Sequence, residues 1–358
     1  MRPALKAGLR WLRRDRDTVQ IGIDPRRAVA LAGLGRAALV LSLLDGSRDV
    51  SEVLSAAAEQ GIPPQATRVV LGLLRGARVL DDYPLDLHRS LPGPLRARLA
   101  PDLACASLAC RDDQGGAAVF GRRRSASVRV YGGGRVGASV ATLLAASGVF
   151  RVTCRDPDVT GYADLAPGGL GYEDIGVSRA SSVARAISRA APETRRAEDG
   201  GRPLDLAVLA GPADPQEVAA LVRAGVPHLS AVADEAIGVV GPLVIPGRSA
   251  CLRCGDLMKA ERDPAWPMIL AQSSGDNIPR ACGTVLAAAT AALAAAQALA
   301  FIDAGGGSAA RGLATVNGTL ELVLPDWQWH RRTWLPHPAC TCGATGESGP
   351  RECRAAAG

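Results

Sequence analysis

A glycine-rich turn links a β-prone run, residues 128–131, to an Ala/Leu-rich helical stretch. Its glycines have the spacing G-x-G-x-x-G: Gly132, Gly134 and Gly137. Glycine at these places permits a sharp turn, close approach of a phosphate and close packing of helix on strand. Asp156 ends the next β-prone run, about 20 residues on, where an acid can bind a ribose hydroxyl. The pattern predicts a strand-helix-strand unit of nucleotide-binding type, or one that has kept this shape and lost the ligand.

Two close pairs of cysteines stand far apart in the chain. Cys251 and Cys254 form a C-x-x-C motif, and Cys340 and Cys342 form C-x-C. Four thiolates in two pairs are typical of a closed tetrahedral Zn²⁺ site, which would attach the C-terminal part to the core. Such a site is structural, because four sulfurs leave no open position for water. His337 is an alternative ligand, and two unlinked cysteine pairs are the alternative to a metal.

Length and composition allow two domains in a cytoplasmic protein. The chain has 358 residues, of which 47% are hydrophobic, and a net charge of +6. Because the positive charge comes with an Ala/Gly/Arg-rich composition, it favours compositional bias over a nucleic-acid patch. We find no apolar run of the roughly 18 residues that a membrane span needs, and no apolar signal segment at the start. The nine cysteines cluster as metal motifs rather than as a disulfide framework.

Residues 1–85 are predicted to form a small domain of their own. Short β-like runs at 9–13, 18–23 and 28–31 precede three helical runs at 36–44, 50–60 and 66–76 and an edge strand at 78–80. Ser47 and Ser51 are candidate helix caps. A small sheet with three helices is a winged-helix pattern.

Two functions fit this first domain. The third helix of a winged helix can enter a DNA major groove, where Arg68 and Arg75 would contact phosphates. Alternatively, a sheet edge and the third helix form a groove to which an extended peptide adds as a strand. The apolar character of the third helix favours peptide, and a domain that only packs on its neighbour is a further alternative. The predicted peptide-binding residues are Ala28, Val29, Ala30, Leu31, Val69 and Leu73.

Prolines punctuate residues 86–125, which we interpret as a linker with one helix between residues 95 and 110. Residues 126–345 then form the predicted α/β domain that carries both motifs. Residues 346–358 are predicted to be a disordered tail.

The segment after the second strand resembles the ThiF/MoeB adenylyltransferase family, the bacterial relatives of ubiquitin-activating enzymes. The family motifs D-x-D-x-V, N-L-x-R and D-I-G are matched by Asp156, Asp158, Val159, Leu165, Asp174, Ile175 and Gly176. The resemblance covers about residues 126–345. It implies a Rossmann-like ThiF-type domain with a zinc-bound C-terminal lobe, often a homodimer. It also implies ATP and Mg²⁺ contacts, at the three motif glycines and at Asp156, Asp158 and Arg179.

The departures from that family weigh against ATP chemistry. The family's asparagine is Asp164, its arginine falls on Pro167 and its lysine on Arg179. Cationic groups must neutralise the triphosphate in the transition state, whereas proline cannot donate and an aspartate repels phosphate. The acid that the family places after the fourth strand, for magnesium, is displaced to Asp214. We therefore predict no catalytic residue, the alternative being an active adenylyltransferase that acts on a carrier-protein C-terminus.

A finer resemblance comes from C-L-R-C followed by D-P-A-W-P, with H-P-x-C-x-C-G downstream. These segments are similar to the leader-peptide-binding partners of cyclodehydratases that make thiazole- and oxazole-modified peptides, which join a PqqD-like domain to a ThiF-like domain. The resemblance implies a subunit that captures the leader of a ribosomally synthesised peptide. A separate YcaO-type cyclodehydratase would bind ATP and form the azolines. A winged-helix DNA-binding regulator is the third hypothesis.

Some single residues have two interpretations. Cys282 precedes a helical run, where a helix dipole lowers a thiol pKa, so it is either a reactive thiol or a buried cap. His228 is interpreted as a structural histidine, because no partner stands at triad-like spacing. Three tryptophans in a predicted hairpin brace a partner interface or anchor the zinc lobe: Trp327, Trp329 and Trp334.

Overall fold

The computed structural model describes residues 1–83, 91–109, 115–194, 203–212, 214–273 and 280–344. The chain divides into two compact units, Met1–Gly121 and Arg122–Gly358. The tail predicted to be disordered, residues 346–358, lies outside the described residues.

The first unit contains two small antiparallel sheets among its described residues. One sheet pairs Pro3–Leu5 (β1) with Leu80–Asp82 (β5). The other has the order Trp11–Arg13 (β2), Val19–Ile21 (β3) and Val29–Leu31 (β4). The helical segments are the 3-10 helix Gly35–Leu43, then Val50–Glu59 (α1), Pro64–Gly76 (α2) and Gly93–Ala109 (α3); the next helix, Gly115–Ser125 (α4), contains the division between the units. The pairing of β1 with β5 was not anticipated, because β1 is short and its partner lies at the other end of the unit.

Helix α1 begins at a capping box centred on a residue other than the predicted serines. The Asp49 carboxylate accepts a hydrogen bond from Glu52 N at 2.9 Å, and the Glu52 carboxylate accepts one from Asp49 N at 2.7 Å. This reciprocal pair satisfies backbone donors that the helix itself cannot reach. Ser47 and Ser51 donate to the carboxylates of Asp45 and Asp49 instead, so they support the turn and do not cap the helix.

The segment predicted as a linker, residues 86–125, contains helices α3 and α4. Helix α3 is held to the strand pair by Lys6, whose ammonium donates to the Ser107 carbonyl at 2.7 Å and pairs with Asp81 at 2.8 Å. In α4 the Phe120 side chain is buried. Proline content suggested a linker, but one of these prolines lies inside α3 itself. The segment therefore carries packed helices.

Seven strands of the second unit form one sheet: Ser127–Tyr131 (β6), Arg151–Arg155 (β7), Leu206–Leu209 (β8), His228–Asp234 (β9), Ile237–Val244 (β10), Gly318–Val323 (β11) and Gln328–Thr333 (β12). Their order is β12-β11-β10-β9-β8-β6-β7. The pairs among β7, β6, β8 and β9 are parallel, and those from β9 to β12 are antiparallel. The helices are Arg135–Ala146 (α5), Arg179–Ala190 (α6), Pro215–Arg223 (α7), Leu252–Arg262 (α8), Trp266–Gln272 (α9) and Thr284–Asp303 (α10). The predicted strand-helix-strand unit is β6-α5-β7.

Helix α10 contradicts the prediction that the chain has no apolar run of membrane-spanning length. It is uncharged up to Asp303 and is, among the described helices, long and apolar enough to span a membrane. The expectation that no such run exists was therefore wrong. Half of its apolar stretch is buried inside the protein, where Leu286, Ala291 and Phe301 join the main hydrophobic core. Alanine allows close packing at little cost in side-chain entropy.

His228 lies fully buried at the start of β9. Its Nδ1 is 3.0 Å from the carbonyl oxygen of Val226. Its Nε2 has no hydrogen-bond partner in the described part of the chain. Burial lowers the pKa of this imidazole, because the charged form loses hydration, although the Val226 carbonyl opposes the shift. His228 is therefore held neutral in the folded protein, which agrees with a structural role.

We expect the stability to fall in acid because of His228. An unfolded histidine has a pKa of about 6.5 and the folded one a lower pKa, so the unfolded chain binds a proton first. The contribution of His228 is thus complete above pH ~6.5 and is lost as the pH drops below that value. Urea unfolding of the wild type and His228→Gln across this range should show a shallower pH slope for the variant. Identical slopes would contradict the assignment.

Candidate functional site

The glycine turn lies between β6 and α5, where the nucleotide motif was predicted. Gly134 is the residue that precedes α5, and Gly132 has a φ of +91°. The carboxylate of Asp156 accepts a hydrogen bond from Gly133 N at 2.6 Å. The predicted acid therefore lies beside the glycine turn, as expected for a parallel strand-helix-strand unit, and one of its oxygens is bound to the turn itself.

Close packing within the fold explains why these positions are glycine. A Cβ on Gly132 would overlap the carbonyl oxygen of Ala210, and a Cβ on Gly137 would overlap the carbonyl oxygen of Gly132. A Cβ on Gly134 would lie 3.3 Å from the Asp164 carboxylate. Glycine is thus required by the backbone at positions 132 and 137 whether or not a phosphate binds, whereas at position 134 a Cβ would meet only the Asp164 side chain.

Arg179, at the start of α6, lies within a group of three carboxylates. Its Nε is 2.9 Å from Asp164, and its Nη1 is 2.9 Å from Asp158 and 3.5 Å from Asp156. The four side chains are called the Arg179 cluster below. Burial works against the charged guanidinium, but the neighbouring carboxylates outweigh it and the pKa of Arg179 is raised. The guanidinium stays charged and is already bound on several sides.

The Arg179 cluster gives the glycine turn an anionic surrounding. Three carboxylates face one guanidinium, which leaves two negative charges in excess. Asp164 also accepts a hydrogen bond from Gly161 N at 2.9 Å, so this acid is fixed in place. A triphosphate would meet repulsion here, whereas adenylyl transfer needs positive charge at the phosphates. The site thus holds the Arg179 guanidinium on several sides and places carboxylates beside Gly133 and Gly134.

The remaining family positions also serve local structure. Asp214, the displaced acid, accepts a hydrogen bond from Gln216 N at 2.8 Å and caps α7. Pro167 lines a cavity of about 410 Å³ next to Leu165 and Leu170. Arg135 follows the glycine turn directly, and its guanidinium donates to the Cys282 carbonyl at 2.9 Å. Sequence reasoning did not single out Arg135, although its place at the start of α5 was visible.

Two thiols lie near the turn and neither is activated. Cys154, at the end of β7, is shielded from solvent, and this burial raises its pKa to about 12. Burial also raises the pKa of Cys282, opposite to the lowered pKa that a helix start predicted. Helix α10 begins only at Thr284, and Asp234 adds a neighbouring negative charge. A reactive thiol at Cys282 is therefore not supported.

The four predicted cysteines meet in the second unit. Sulfur to sulfur distances are 3.7 Å for Cys251 and Cys254, 3.6 Å for Cys251 and Cys340, and 3.7 Å for Cys254 and Cys342. All four sulfurs lie within 4.8 Å of one another. A tetrahedron with metal to sulfur bonds of about 2.3 Å has edges of about 3.8 Å, so these residues fit Zn²⁺. They would hold the ion with no open coordination position, which makes its role structural.

His337 is engaged outside this cysteine cluster. Its Nε2 is 2.8 Å from the Glu261 carboxylate, and its Nδ1 accepts a hydrogen bond from Ala339 N at 3.1 Å. Both ring nitrogens therefore have partners within the protein, and the four sulfurs form a complete ligand set without the imidazole.

Trp334 anchors the lobe around the cysteines. Its indole is buried and packs with Cys251 and Cys254 in one apolar cluster, while its Nε1 donates to Thr319 Oγ1 at 3.0 Å. The Lys259 ammonium lies over both the Trp266 ring, at 4.4 Å, and the Trp334 ring. Trp327 and Trp329 are exposed, and Trp327 lies in the hairpin turn with a φ of +54° rather than on a strand. Of the three predicted tryptophans, Trp334 makes the anchoring contacts.

The predicted peptide-binding residues lie on two elements of the first unit. Val29, Ala30 and Leu31 form β4, which pairs with β3 on one side, and Ala28 comes directly before this strand. Among the described strands, none pairs with the other edge of β4. On α2 the side chains of Val69 and Leu73 are 51% and 44% exposed although both are apolar. An open strand edge and an exposed apolar helix flank are thus both present in one unit.

We expect one zinc ion per chain and a large loss of stability without it. Cys254→Ser removes a buried ligand and should lower the free energy of unfolding by about 3–5 kcal/mol, because metal binding contributes directly to folding. Metal analysis together with thermal unfolding measures both effects. Cys105→Ser, at an exposed thiol of the first unit, is the matched control. Full stability of the metal-free protein would refute the assignment.

Comparisons with known proteins agree with this geometry. Residues 116–199 match the model of the ThiF family. No curated protein matches the chain. The structure of E. coli MccB with AMPCPP and MccA has a TM-score of 0.69 at 17% identity, covering 96% of this chain and 100% of MccB. The microcin C7 biosynthetic enzyme MccB with N-formylated MccA gives a TM-score of 0.68, also at 17% identity with 96% and 100% coverage.

PaaA is a further similar structure, with a TM-score of 0.62 at 16% identity and coverage of 78% of this chain and 96% of PaaA. Likeness at such identities concerns the fold. It agrees with the parallel strands, the glycine turn and the matched segment. Residues 116–199 therefore match the ThiF family model, and the chain shares the fold of the solved MccB structures.

Proposed function

We propose that this protein is a leader-peptide-binding partner subunit, and not itself an adenylyltransferase. It captures the leader of a ribosomally synthesised peptide in the cytoplasm and presents it to a separate YcaO-type cyclodehydratase that forms azolines. The observation that carries this proposal is the Arg179 cluster, which leaves negative charge where a triphosphate would need positive charge. A homodimer, as in related ThiF-type proteins, is part of the proposal.

The fold comparison supports a peptide as the partner. MccB, which has been solved with MccA, shares the fold over 96% of this chain. That coverage includes the first unit as well as the ThiF-type unit. A protein that keeps this architecture and lacks suitable charge for ATP retains recognition as its role.

The first unit supplies a mode of capture. A peptide that adds to the open edge of β4 forms main-chain hydrogen bonds there, and its alternate side chains contact α2. Val69 and Leu73 lie four residues apart, so they share one flank of the helix. Apolar leader side chains would cover them, and this contact would give sequence preference. The PqqD-like assignment of this unit is part of the proposal.

An active adenylyltransferase is the second candidate. It is favoured by the intact glycine turn with Asp156 beside it, and by the structure of the similar MccB with ATP. ATP-dependent exchange of pyrophosphate, with a carrier-protein C-terminus as acceptor, would distinguish it. A DNA-binding regulator is less favoured, because α2 exposes apolar side chains where base-reading groups are needed.

We expect the full-length protein to bind synthetic leader peptides, and Val69→Asp to weaken this binding about 10- to 100-fold. A carboxylate in place of an apolar side chain that the bound peptide covers weakens the binding free energy by about 1.5–3 kcal/mol. Fluorescence anisotropy of labelled leaders from neighbouring precursor genes measures the change. Met268→Asp replaces a side chain that is 67% exposed on α9, so it is the matched control. Saturable binding to no leader, or equal binding by both variants, would overturn the proposal.

A further inference from the structure

The segment between β7 and α6 is a long loop that is closed at its base. Thr160 N donates to the Val177 carbonyl at 2.8 Å, and Arg179 N donates to the Asp158 carbonyl at 2.9 Å. An antiparallel bridge joins Val159 to Ser178. Loops longer than about 12–15 residues without regular strands or helices are usually functional when they are ordered. In this loop, backbone hydrogen bonds hold the two ends together.

The same turn occurs twice within this loop. Residues 161–164 read Gly-Tyr-Ala-Asp and residues 171–174 read Gly-Tyr-Glu-Asp. Each copy is a 3-10 turn in which the aspartate accepts a hydrogen bond from the glycine N at 2.9 Å. Helix α6 braces both copies, since Arg179 binds Asp164 and Arg185 binds Asp174 at 2.6 Å. Two rigid, equivalent turns result.

Each turn presents its tyrosine to solvent. Tyr162 is 74% exposed and Tyr172 is 80% exposed. The glycine and aspartate of each turn make its hydrogen bonds, so the fold does not require an aromatic residue at either place. Exposed tyrosines on a rigid support are typical of interaction surfaces, because they supply large contact area at low cost in conformational entropy.

A cavity lies between the two turns. It has a volume of about 410 Å³, and Leu165, Pro167, Leu170, Tyr172 and Arg189 contribute to its lining. A bridge between Leu165 and Leu170 brings the end of the first turn to the start of the second. The Arg189 guanidinium is paired with Glu173 at 3.0 Å. The cavity is therefore a shallow, open recess in an apolar surface, and its basic group is paired with a carboxylate.

The charge of the loop favours a partner with cationic side chains. Asp164, in the same turn as Tyr162, belongs to the Arg179 cluster, which has two carboxylates in excess although the chain as a whole has a net charge of +6. Beside Tyr172, the charges of Glu173 and Asp174 are balanced by Arg185 and Arg189. A cationic side chain over the Tyr162 ring gains from the ring and from the nearby carboxylates.

We propose that this loop is a docking surface for an extended segment of the modifying enzyme that carries Lys or Arg next to large apolar side chains. The apolar side chain enters the cavity, and the cation lies over a tyrosine ring. This inference rests on the proposed function for the identity of the partner protein. The geometry of the surface itself is independent of leader capture, which is assigned to the first unit.

The test uses two labelled peptides in a Gly-Ser frame, one with two Leu-Arg pairs and one with two Leu-Glu pairs. The full-length protein binds the Leu-Arg peptide with micromolar affinity that weakens with salt, and binds the Leu-Glu peptide at least 10-fold more weakly. Tyr162→Ala/Tyr172→Ala loses at least 10-fold in affinity, whereas Tyr162→Phe/Tyr172→Phe keeps most of it. Met268→Ala, on an exposed side chain elsewhere, is the control. Equal binding of both peptides, or no effect of the double alanine variant, overturns the docking surface.

A second experiment distinguishes the modifying enzyme from the precursor peptide as the occupant of the surface. Leader peptide and full-length precursor are titrated against the wild type and the double alanine variant. Unchanged affinities for both support the enzyme as the occupant. A loss for the full precursor alone assigns the surface to the peptide and overturns the proposal. Failure of the leader to bind the wild type refutes the proposed function, while the Leu-Arg result still decides whether the surface exists.

Discussion

The account of this protein depends on the ion pairs between Arg179 and the carboxylates of Asp156, Asp158 and Asp164. They fix the first turn of α6 to the end of β7 and to the following loop, and they leave negative charge beside the glycine turn. Removing Arg179 would leave three carboxylates without their cation in a partly buried place, which is costly. The cluster therefore joins β7, the following loop and α6, and in our proposal its excess negative charge disfavours the nucleotide.

Structural stability elsewhere is independent of any nucleotide. Gly132 and Gly137 are required because carbonyl oxygens occupy the space of a side chain. The four cysteines join the C-terminal segment to the start of α8, where Cys251 and Cys254 lie, and Trp334 packs on them. Both features maintain the ThiF-type unit as a rigid support, on which loops of other function can be placed.

Residue spacing predicted the parts of the site that depend on local geometry. Asp156 lies beside the glycine turn because the two belong to one strand-helix-strand unit. The two cysteine pairs, each set by its own short motif, meet through a long-range contact that was predicted from the metal chemistry of four thiolates. Long-range pairing was not predictable from the sequence: β1 pairs with β5, and Arg179 binds Asp156 and Asp158, which match the family motif, together with Asp164, which departs from it. Proline content concealed the packed helices of residues 86–125, and the burial of Cys282 reversed the effect expected from a helix start. The repeated Gly-Tyr-x-Asp turns were visible in the sequence but were overlooked, since only the family positions around them were compared.

The central claim is that the charge around the glycine turn excludes ATP. Calorimetric titration of the full-length protein with Mg²⁺-ATP, beside a variant carrying Asp164→Asn and Pro167→Arg, tests it most directly. The account predicts no saturable binding of ATP by the wild type at concentrations up to about 1 mM, which means a binding free energy weaker than ~4 kcal/mol. It predicts measurable binding of ATP by the variant. Micromolar binding of ATP by the wild type, accompanied by pyrophosphate exchange, would contradict it.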